Sequence, residues 1–403
     1  MKRLKILMLT RLFPSSAQPT LGTFCLERAR ALAQVADVRV MVPTPYFPSW
    51  IKISKQWSVW SEVEREGTLE EGIRTTYPRY FLVPKLGTFL QGISISHCAY
   101  QNYLSDYEDW VPDIIDGHFA FPDGYAAVNL ATKIGCKSVV TCHGADLRVY
   151  PGLMFVDKML AQTFQRAGRV ISVSSDLMKR SIALGCPPEN ARFLTNGVDP
   201  AKFSLRAKSE CRKRLNLPLD RKIGVYVGFL IDRKNQSLVI QSIAEIRKRG
   251  LVPPLIVLVG DGPNLQRLQH EVQVLRLEQD VFFAGQKAHD EVPVWMGASD
   301  WLILSSDYEG WATVYFEAMA CGRPVLTSNV SSAKDAICKP EYGCVVDPCT
   351  SVAFASALLD ASSREYDEHL IRQYAEEHSW EKWAKSAMLI FDEIGSTSPI
   401  QHQ

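Results

Sequence analysis

The chain has almost no net charge. Its 45 Lys and Arg against 44 Asp and Glu leave +1, which gives no bulk attraction to nucleic acid. It has no C-x-x-C pair among its ten cysteines, so a zinc ribbon or a thioredoxin-like redox site is excluded. Cys338, Cys344 and Cys349 stand nearest to a cluster, and scattered reduced thiols in a reducing compartment are the expectation. No apolar run approaches the roughly 18 residues of a membrane span. The start Met-Lys-Arg-Leu-Lys carries the charge of an export signal, but the apolar run Ile6-Leu7-Met8-Leu9 meets Arg11 too soon. A G-x-G-x-x-G dinucleotide fingerprint and a D-x-D metal motif are also lacking.

The 403 residues suit two domains of ordinary size. The neutral total hides an asymmetry: residues 1–185 sum to +5 and residues 186–403 to −4. Short β-branched or Leu-rich runs, Leu4–Leu9, Asp37–Val42, Ile114–Asp116, Ser138–Thr141 and Val170–Val173, read as buried strands. Amphipathic stretches Phe24–Gln34, Gly124–Ile134, Met154–Arg166 and Asp176–Ala183 read as the helices between them. The alternation restarts with strands Ile223–Val227, Leu255–Val259, Val281–Phe283, Trp301–Leu304 and Pro324–Leu326. Its helices are expected over Asn235–Lys248, Leu265–Leu275, Glu291–Ala298, Val314–Ala320 and Val352–Leu359. Strand–helix alternation implies parallel sheets covered on both faces. Two such blocks predict two Rossmann-like α/β domains, residues 1–190 and 191–379, joined within Cys186–Pro200 and facing each other across a cleft. A last helix, Trp380–Ile394, is expected to pack back on the first domain, with Gly395–Gln403 a frayed tail. The aromatic stretch Pro43–Gly92, with Trp50, Trp57 and Trp60, is too long for a plain loop.

The run Glu309-Gly310-Trp311-Ala312-Thr313-Val314-Tyr315-Phe316-Glu317 is the strongest candidate site. A strand enters it, and a helix is expected to begin near Ala312, presenting free N–H groups and a positive dipole end to an anion. One carboxylate beside that anion and a second further along could hold two hydroxyl-bearing parts of one ligand. Arg233 and Lys234 follow a strand that turns at Gly228, where they could neutralise a leaving diphosphate. His118 and His143 each follow a buried strand, in Asp116-Gly117-His118-Phe119-Ala120-Phe121-Pro122-Asp123-Gly124 and Thr141-Cys142-His143-Gly144-Ala145-Asp146.

Together these motifs resemble the retaining GT-B glycosyltransferases of family 4, the glycosyl transferases group 1. Glu309 to Glu317 matches the E-x7-E signature, and the stretch through Cys321-Gly322-Arg323-Pro324-Val325 matches its continuation. The histidine segments resemble the family's H-x-x-x-P-D-G and H-G-x-D motifs. The resemblance implies a nucleotide-diphospho-sugar as co-substrate, with Glu309 on donor-sugar hydroxyls and Glu317 on the ribose. The Gly310–Val314 N–H groups, with Arg233 and Lys234, would hold the diphosphate. Gly228, Gly262 in Gly260-Asp261-Gly262-Pro263, and Lys287 after Gly285 would complete the nucleotide pocket. Gly22, in the loop after the first strand, would allow close backbone approach, and that loop resembles teichuronic-acid-type surface-polysaccharide transferases. His118, lining the donor-sugar and acceptor site, and Glu309 join the cation pair as catalytic candidates, and His118, His143 and Asp146 stand on the acceptor side. Phe229 occupies the position after Gly228 where many members carry Arg, which leaves Arg233 and Lys234 to do that work.

The implied reaction moves a sugar to an acceptor hydroxyl, carbohydrate or lipid-linked, with no metal. Its expected setting is cytoplasmic, peripheral on an anionic inner membrane face, in surface polysaccharide or glycolipid synthesis. A GT-B epimerase of nucleotide sugars and a non-catalytic two-domain binding protein are the alternatives. A general base is not legible.

Overall fold

A computed structural model describes residues 3–46, 59–69, 72–82 and 88–395. The chain divides into two compact units, one formed by Met1–Asn196 with Trp380–Gln403 and the other by Gly197–Ser379.

The first unit is built on a sheet of eight strands. In chain order its strands are β1 (Lys5–Leu9), β2 (Asp37–Met41), β4 (Glu66–Thr68), β5 (Arg74–Thr76), β7 (Ile114–His118), β8 (Lys137–Cys142), β9 (Arg169–Ser172) and β10 (Ala191–Phe193). They lie in the order β10-β9-β8-β7-β1-β2-β5-β4. Every pairing is parallel except that of β4 with β5. The central strand β1 is Lys-Ile-Leu-Met-Leu, buried from Ile6 onward. Such a continuous apolar run is what helices on both faces of a sheet demand. The second unit repeats the plan with β11 (Ile223–Val227), β12 (Leu255–Val259), β13 (Val281–Gly285), β14 (Trp301–Leu304), β15 (Val325–Ser328) and β16 (Gly343–Val346). Their order is β13-β12-β11-β14-β15-β16, all parallel.

Both sheets reverse their winding beside their first strand. In the first unit this happens between β1 and β7, and in the second between β11 and β14. Crevices at the carboxyl ends of such strand pairs are where α/β sheets bind ligands.

The stretch 43–92 holds β3 (Thr44–Tyr46) paired with β6 (Arg79–Phe81), β4 and β5, and the start of the helix Thr88–Asp106. Its residues 47–58, with Trp50 and Trp57, lie outside the described residues, as do 396–403 of the tail. The helix Thr88–Asp106 has no clean apolar stripe, because Gly92, Ser94 and Ser96 interrupt it. The division between units falls a few residues past 190, because β10 pairs with β9 and so completes the first sheet. The helix Trp380–Gly395 returns to the first unit, where Trp383, Ala387, Phe391 and Ile394 join the core containing Ile6, Val40 and Leu32.

Candidate functional site

In the second unit the expected residues converge at the β11–β14 reversal. Arg233 and Lys234 lie on the turn after β11, and Glu309 lies on the loop after β14. Lys234 Nζ donates to Glu309 Oε1 at 2.6 Å, and Arg233 Nη1 stands 3.7 Å from Oε2. Glu309 is only 5% exposed. Both cations therefore rest on this carboxylate, and a ligand phosphate would compete with it for them. The lysine's backbone is fixed as well: Tyr226 Oη donates to its carbonyl at 2.6 Å, and Ser305 Oγ donates to the Asn235 carbonyl at 2.7 Å. Burial raises the Tyr226 hydroxyl well above the ordinary tyrosine range, with Glu309 adding to it and the serine hydrogen bonds opposing. Tyr226 thus stays a neutral donor. Arg233 stacks over Tyr308, 4.9 Å from its ring centre.

The helix expected over Val314–Ala320 occupies those residues, two past the start near Ala312 that the anion-site reading used. Ahead of it the Tyr315 N–H closes a tight turn on the Ala312 carbonyl at 3.0 Å. That turn delays regular helix by two residues. Among the described residues, the N–H groups of Gly310, Trp311, Ala312, Thr313 and Val314 donate to no protein acceptor. A row of unpaired backbone donors is the raw material of an anion site. Glu317 is one element of a chain that sequence reasoning missed. Lys202 Nζ lies 2.7 Å from His289 Nδ1, and His289 Nε2 lies 3.2 Å from Glu317 Oε1. An ammonium only donates, so His289 Nδ1 accepts and its Nε2–H points at the carboxylate.

The glycines separate into two kinds. A Cβ on Gly22 (φ +66°) would lie 2.2 Å from the Leu12 carbonyl oxygen, and one on Gly262 would lie 2.5 Å from that of Leu230. Their own loops demand glycine there, with no ligand needed to explain it. A Cβ on Gly228 would meet Lys234 Cε and Tyr226 Cε1 at 3.8 Å, ordinary contact distances, so here packing alone does not demand glycine. Lys287 lies over Trp295, 5.6 Å from its ring centre.

In the first unit the residues after β1, β7 and β8 converge in the same way. Arg11 Nε donates to the buried Asp123 at 2.7 Å. A cavity of about 440 Å³ opens beside them, walled by Arg11, Trp60, Tyr80, Phe119, Phe121 and Tyr150. Asp146 is a loop holder: its carboxylate accepts N–H groups from Ala120 at 2.8 Å and Gly144 at 2.7 Å. Burial pushes its carboxyl up to about 6 against those bonds. His118 does not line an open site as expected, because its ring is wholly buried. Strand period places it on the same face as Asp116, whose Oδ2 lies 3.1 Å from His118 Nε2. On its other side His118 Nδ1 lies 3.0 Å from Nε2 of His143. The half-buried His143 packs against Phe24 and Phe119.

Residues 207–378 match the family model described as Glycosyl transferases group 1, and residues 21–202 match the one described as Glycosyltransferase Family 4. The chain is a family 4 glycosyltransferase. This glycosyltransferase is 29% identical over 362 residues to TuaC of Bacillus subtilis (strain 168), named for teichuronic acid biosynthesis, covering 88% of each chain. It is 25% identical over 373 residues to WcaI of Escherichia coli (strain K12), named for colanic acid biosynthesis, covering 85% of this chain and 88% of that one. Among solved structures, sucrose-phosphate synthase from Thermosynechococcus elongatus superposes with a TM-score of 0.78 at 19% identity, over 98% of this chain and 100% of that one. HepE of Anabaena, solved with UDP, gives 0.72 at 18% identity, over 97% of this chain and 100% of that one. These likenesses establish the GT-B fold of this glycosyltransferase. Among its described residues no helix is long and apolar enough to cross a membrane.

Proposed function

We propose that this glycosyltransferase moves a sugar, with retention of configuration, from a nucleotide-diphospho-sugar to an acceptor hydroxyl. The observation that carries the reading is the cluster at the β11–β14 reversal. There two cations share one buried carboxylate beside five unpaired backbone donors. A diphosphate that accepts from Arg233, Lys234 and the 310–314 N–H groups would free Glu309 to take sugar hydroxyls. The same cations would stabilise the negative charge that develops on the departing phosphate, usually the largest catalytic contribution. Gly228 and Lys287 are assigned to the same nucleotide pocket, and Glu317, beside His289, to the ribose. HepE, solved with UDP and with UDP-glucose, supports a nucleotide sugar as donor. In this reading the cation pair replaces a metal, so turnover survives chelation.

The aromatic-walled cavity of the first unit is assigned to the acceptor. TuaC and WcaI, both named for surface-polysaccharide synthesis, support an acceptor from that pathway class or a glycolipid. Exposed Leu90, Ile93, Met154 and Phe155 in that unit suit peripheral contact with a membrane carrying such an acceptor.

The test is a thermal-shift screen of UDP- and GDP-sugars, followed by mass spectrometry and NMR of products formed with and without EDTA. Expected are stabilisation by one donor class and an anomeric configuration unchanged from donor to product. An inverted anomer, or donor altered with no acceptor present, would overturn the reading.

A further inference from the structure

The first unit contains a chain of three titratable groups running inward from a half-buried histidine, of which sequence reasoning singled out only the two histidines. Asp116 Oδ2, His118 Nε2, His118 Nδ1 and His143 Nε2 are linked by contacts of 3.1 and 3.0 Å. Asp116 and His118 are buried, and the other oxygen of Asp116, Oδ1, has no partner among the described residues. His143 closes the chain at its half-buried end, where its Nδ1 has no partner among the described residues. We propose that His143 is the imidazole this unit presents to the acceptor, and that buried His118, anchored by Asp116, is a positioning residue that keeps the proton of His143 on Nδ1. The proposal rests on the reading of this unit as the acceptor side.

Proton counting supplies the argument. A carboxylate accepts, so His118 Nε2 carries a hydrogen toward Asp116. If His118 is an imidazolium, its Nδ1–H donates to His143 Nε2. His143 is then neutral, with its own proton on Nδ1, a donor for a hydroxyl or phosphate oxygen. If His118 is neutral, the direction reverses: His143 Nε2–H donates inward, and Nδ1 offers only a lone pair. The charge on His118 therefore decides whether the outer nitrogen of His143 is a donor or an acceptor.

The surroundings favour the charged state of His118. It faces Asp116 on its own strand, Cys25 from the helix Thr23–Ala33, and Asp123 from the following turn. Burial alone would lower it, but Asp116 and then Cys25 outweigh that and raise it to about 9. His143 is driven the other way: burial first, then the positive charges of Arg28 and His118, hold it well below the ordinary histidine range. Arg28 is fixed from below, with Nε and Nη2 on the Asn196 side-chain oxygen at 3.0 and 2.8 Å and its plane over Trp383.

The deciding experiment is NMR of the full-length protein labelled with ¹⁵N in its eight histidines, read near pH 7.5. Assignment would use His118→Asn and His143→Ala. Expected are a His118 ring protonated on both nitrogens and a His143 ring protonated on Nδ1 only. With a raised pKa, the linked stability is full below pH 6.5 and is lost as pH rises through about 9. Asp116→Asn should move the His118 titration down toward neutrality. In turnover, His118→Asn keeps an N–H near the Nδ1 position and should stay within about threefold of wild type, while His118→Leu, which lacks a donor, should lose about tenfold or more. Wild-type His143 protonated on Nε2, or equal loss in His118→Asn and His118→Leu, overturns the positioning role. Full turnover in His143→Ala overturns the acceptor-facing role. The ring states are read without any sugar transfer, so they stand or fall separately from the proposed function. They also decide the matter if His118→Leu does not fold.

Discussion

At the scale of single residues, the Lys234–Glu309 pair shows how a site can be legible in sequence while its resting state is not. Motif spacing marked both residues, but each was assigned to a ligand and neither to the other. The 2.6 Å contact means that either residue serves stability as well as chemistry, and the two can be separated. Lys234→Ala leaves the Glu309 carboxylate almost buried with only the longer Arg233 contact, and should cost about 3 kcal/mol of stability. Replacing both with apolar residues, Lys234→Met with Glu309→Leu, removes the unpaired charge and should recover most of that loss. Turnover should behave differently. It should fall by about 10²–10³ in Lys234→Ala and stay at least as low in the double variant, since the charge stabilising the leaving group is gone in both. Urea denaturation and initial rates on the same three proteins check this, and recovered turnover in the double variant would remove the electrostatic role.

At the scale of elements, the two Glu317 assignments, by motif and by geometry, meet on a short helix held by a neighbouring turn. The helix Val314–Ala320 carries Glu317, the turn after β13 carries His289, and Lys202 braces His289 from behind. His289 escaped sequence reasoning because nothing in an exposed turn distinguishes a bracing imidazole from a solvated one. Only the fold brings residues 202, 289 and 317 together. If His289 orients Glu317 toward the ribose, His289→Ala should raise the KM for the nucleotide sugar about tenfold, or ~1.4 kcal/mol, with kcat little changed. His289→Gln, whose amide N–H can stand in for Nε2–H, should restore most of it. A fall in kcat at unchanged KM would remove the ribose role from this triad. Strand legibility followed the same physics. β11, β12 and β14 were readable to the residue because their burial on both faces enforces apolar runs. The three-residue β4, β5, β6 and β10 carry too few residues to show any period. The Glu317 helix was readable to the residue as Val314–Ala320, and only the start near Ala312 taken for the anion site fell two residues early.

At the scale of the whole molecule, the chain leaves the first unit at Asn196 and returns to it at Trp380, so its last helix is a structural part of a domain finished nearly two hundred residues earlier. The amphipathic pattern of that helix is plain in the sequence, but its destination is set by what the first unit leaves uncovered. The helix Thr23–Ala33 places Arg28 over the Trp383 ring, while Arg169 and Arg192 both reach the Glu393 carboxylate, at 2.9 and 2.6 Å. Trp383, Ile390, Phe391 and Ile394 are all buried. At ~2 kcal/mol or more for each large apolar side chain, their removal forfeits on the order of 8–10 kcal/mol, comparable with the ~5–15 kcal/mol that holds a whole domain folded. Truncation after Ser379 should therefore abolish cooperative unfolding of the first unit while sparing the second, whose sheet and β11–β14 cluster lie wholly within Gly197–Ser379. Calorimetry should show one transition lost and one retained, and the retained transition should still shift upward with the nucleotide sugar that stabilises the intact chain. Loss of both transitions would show that the second unit depends on the first for its own folding. Loss of the ligand shift alone would place part of the donor site outside the second unit.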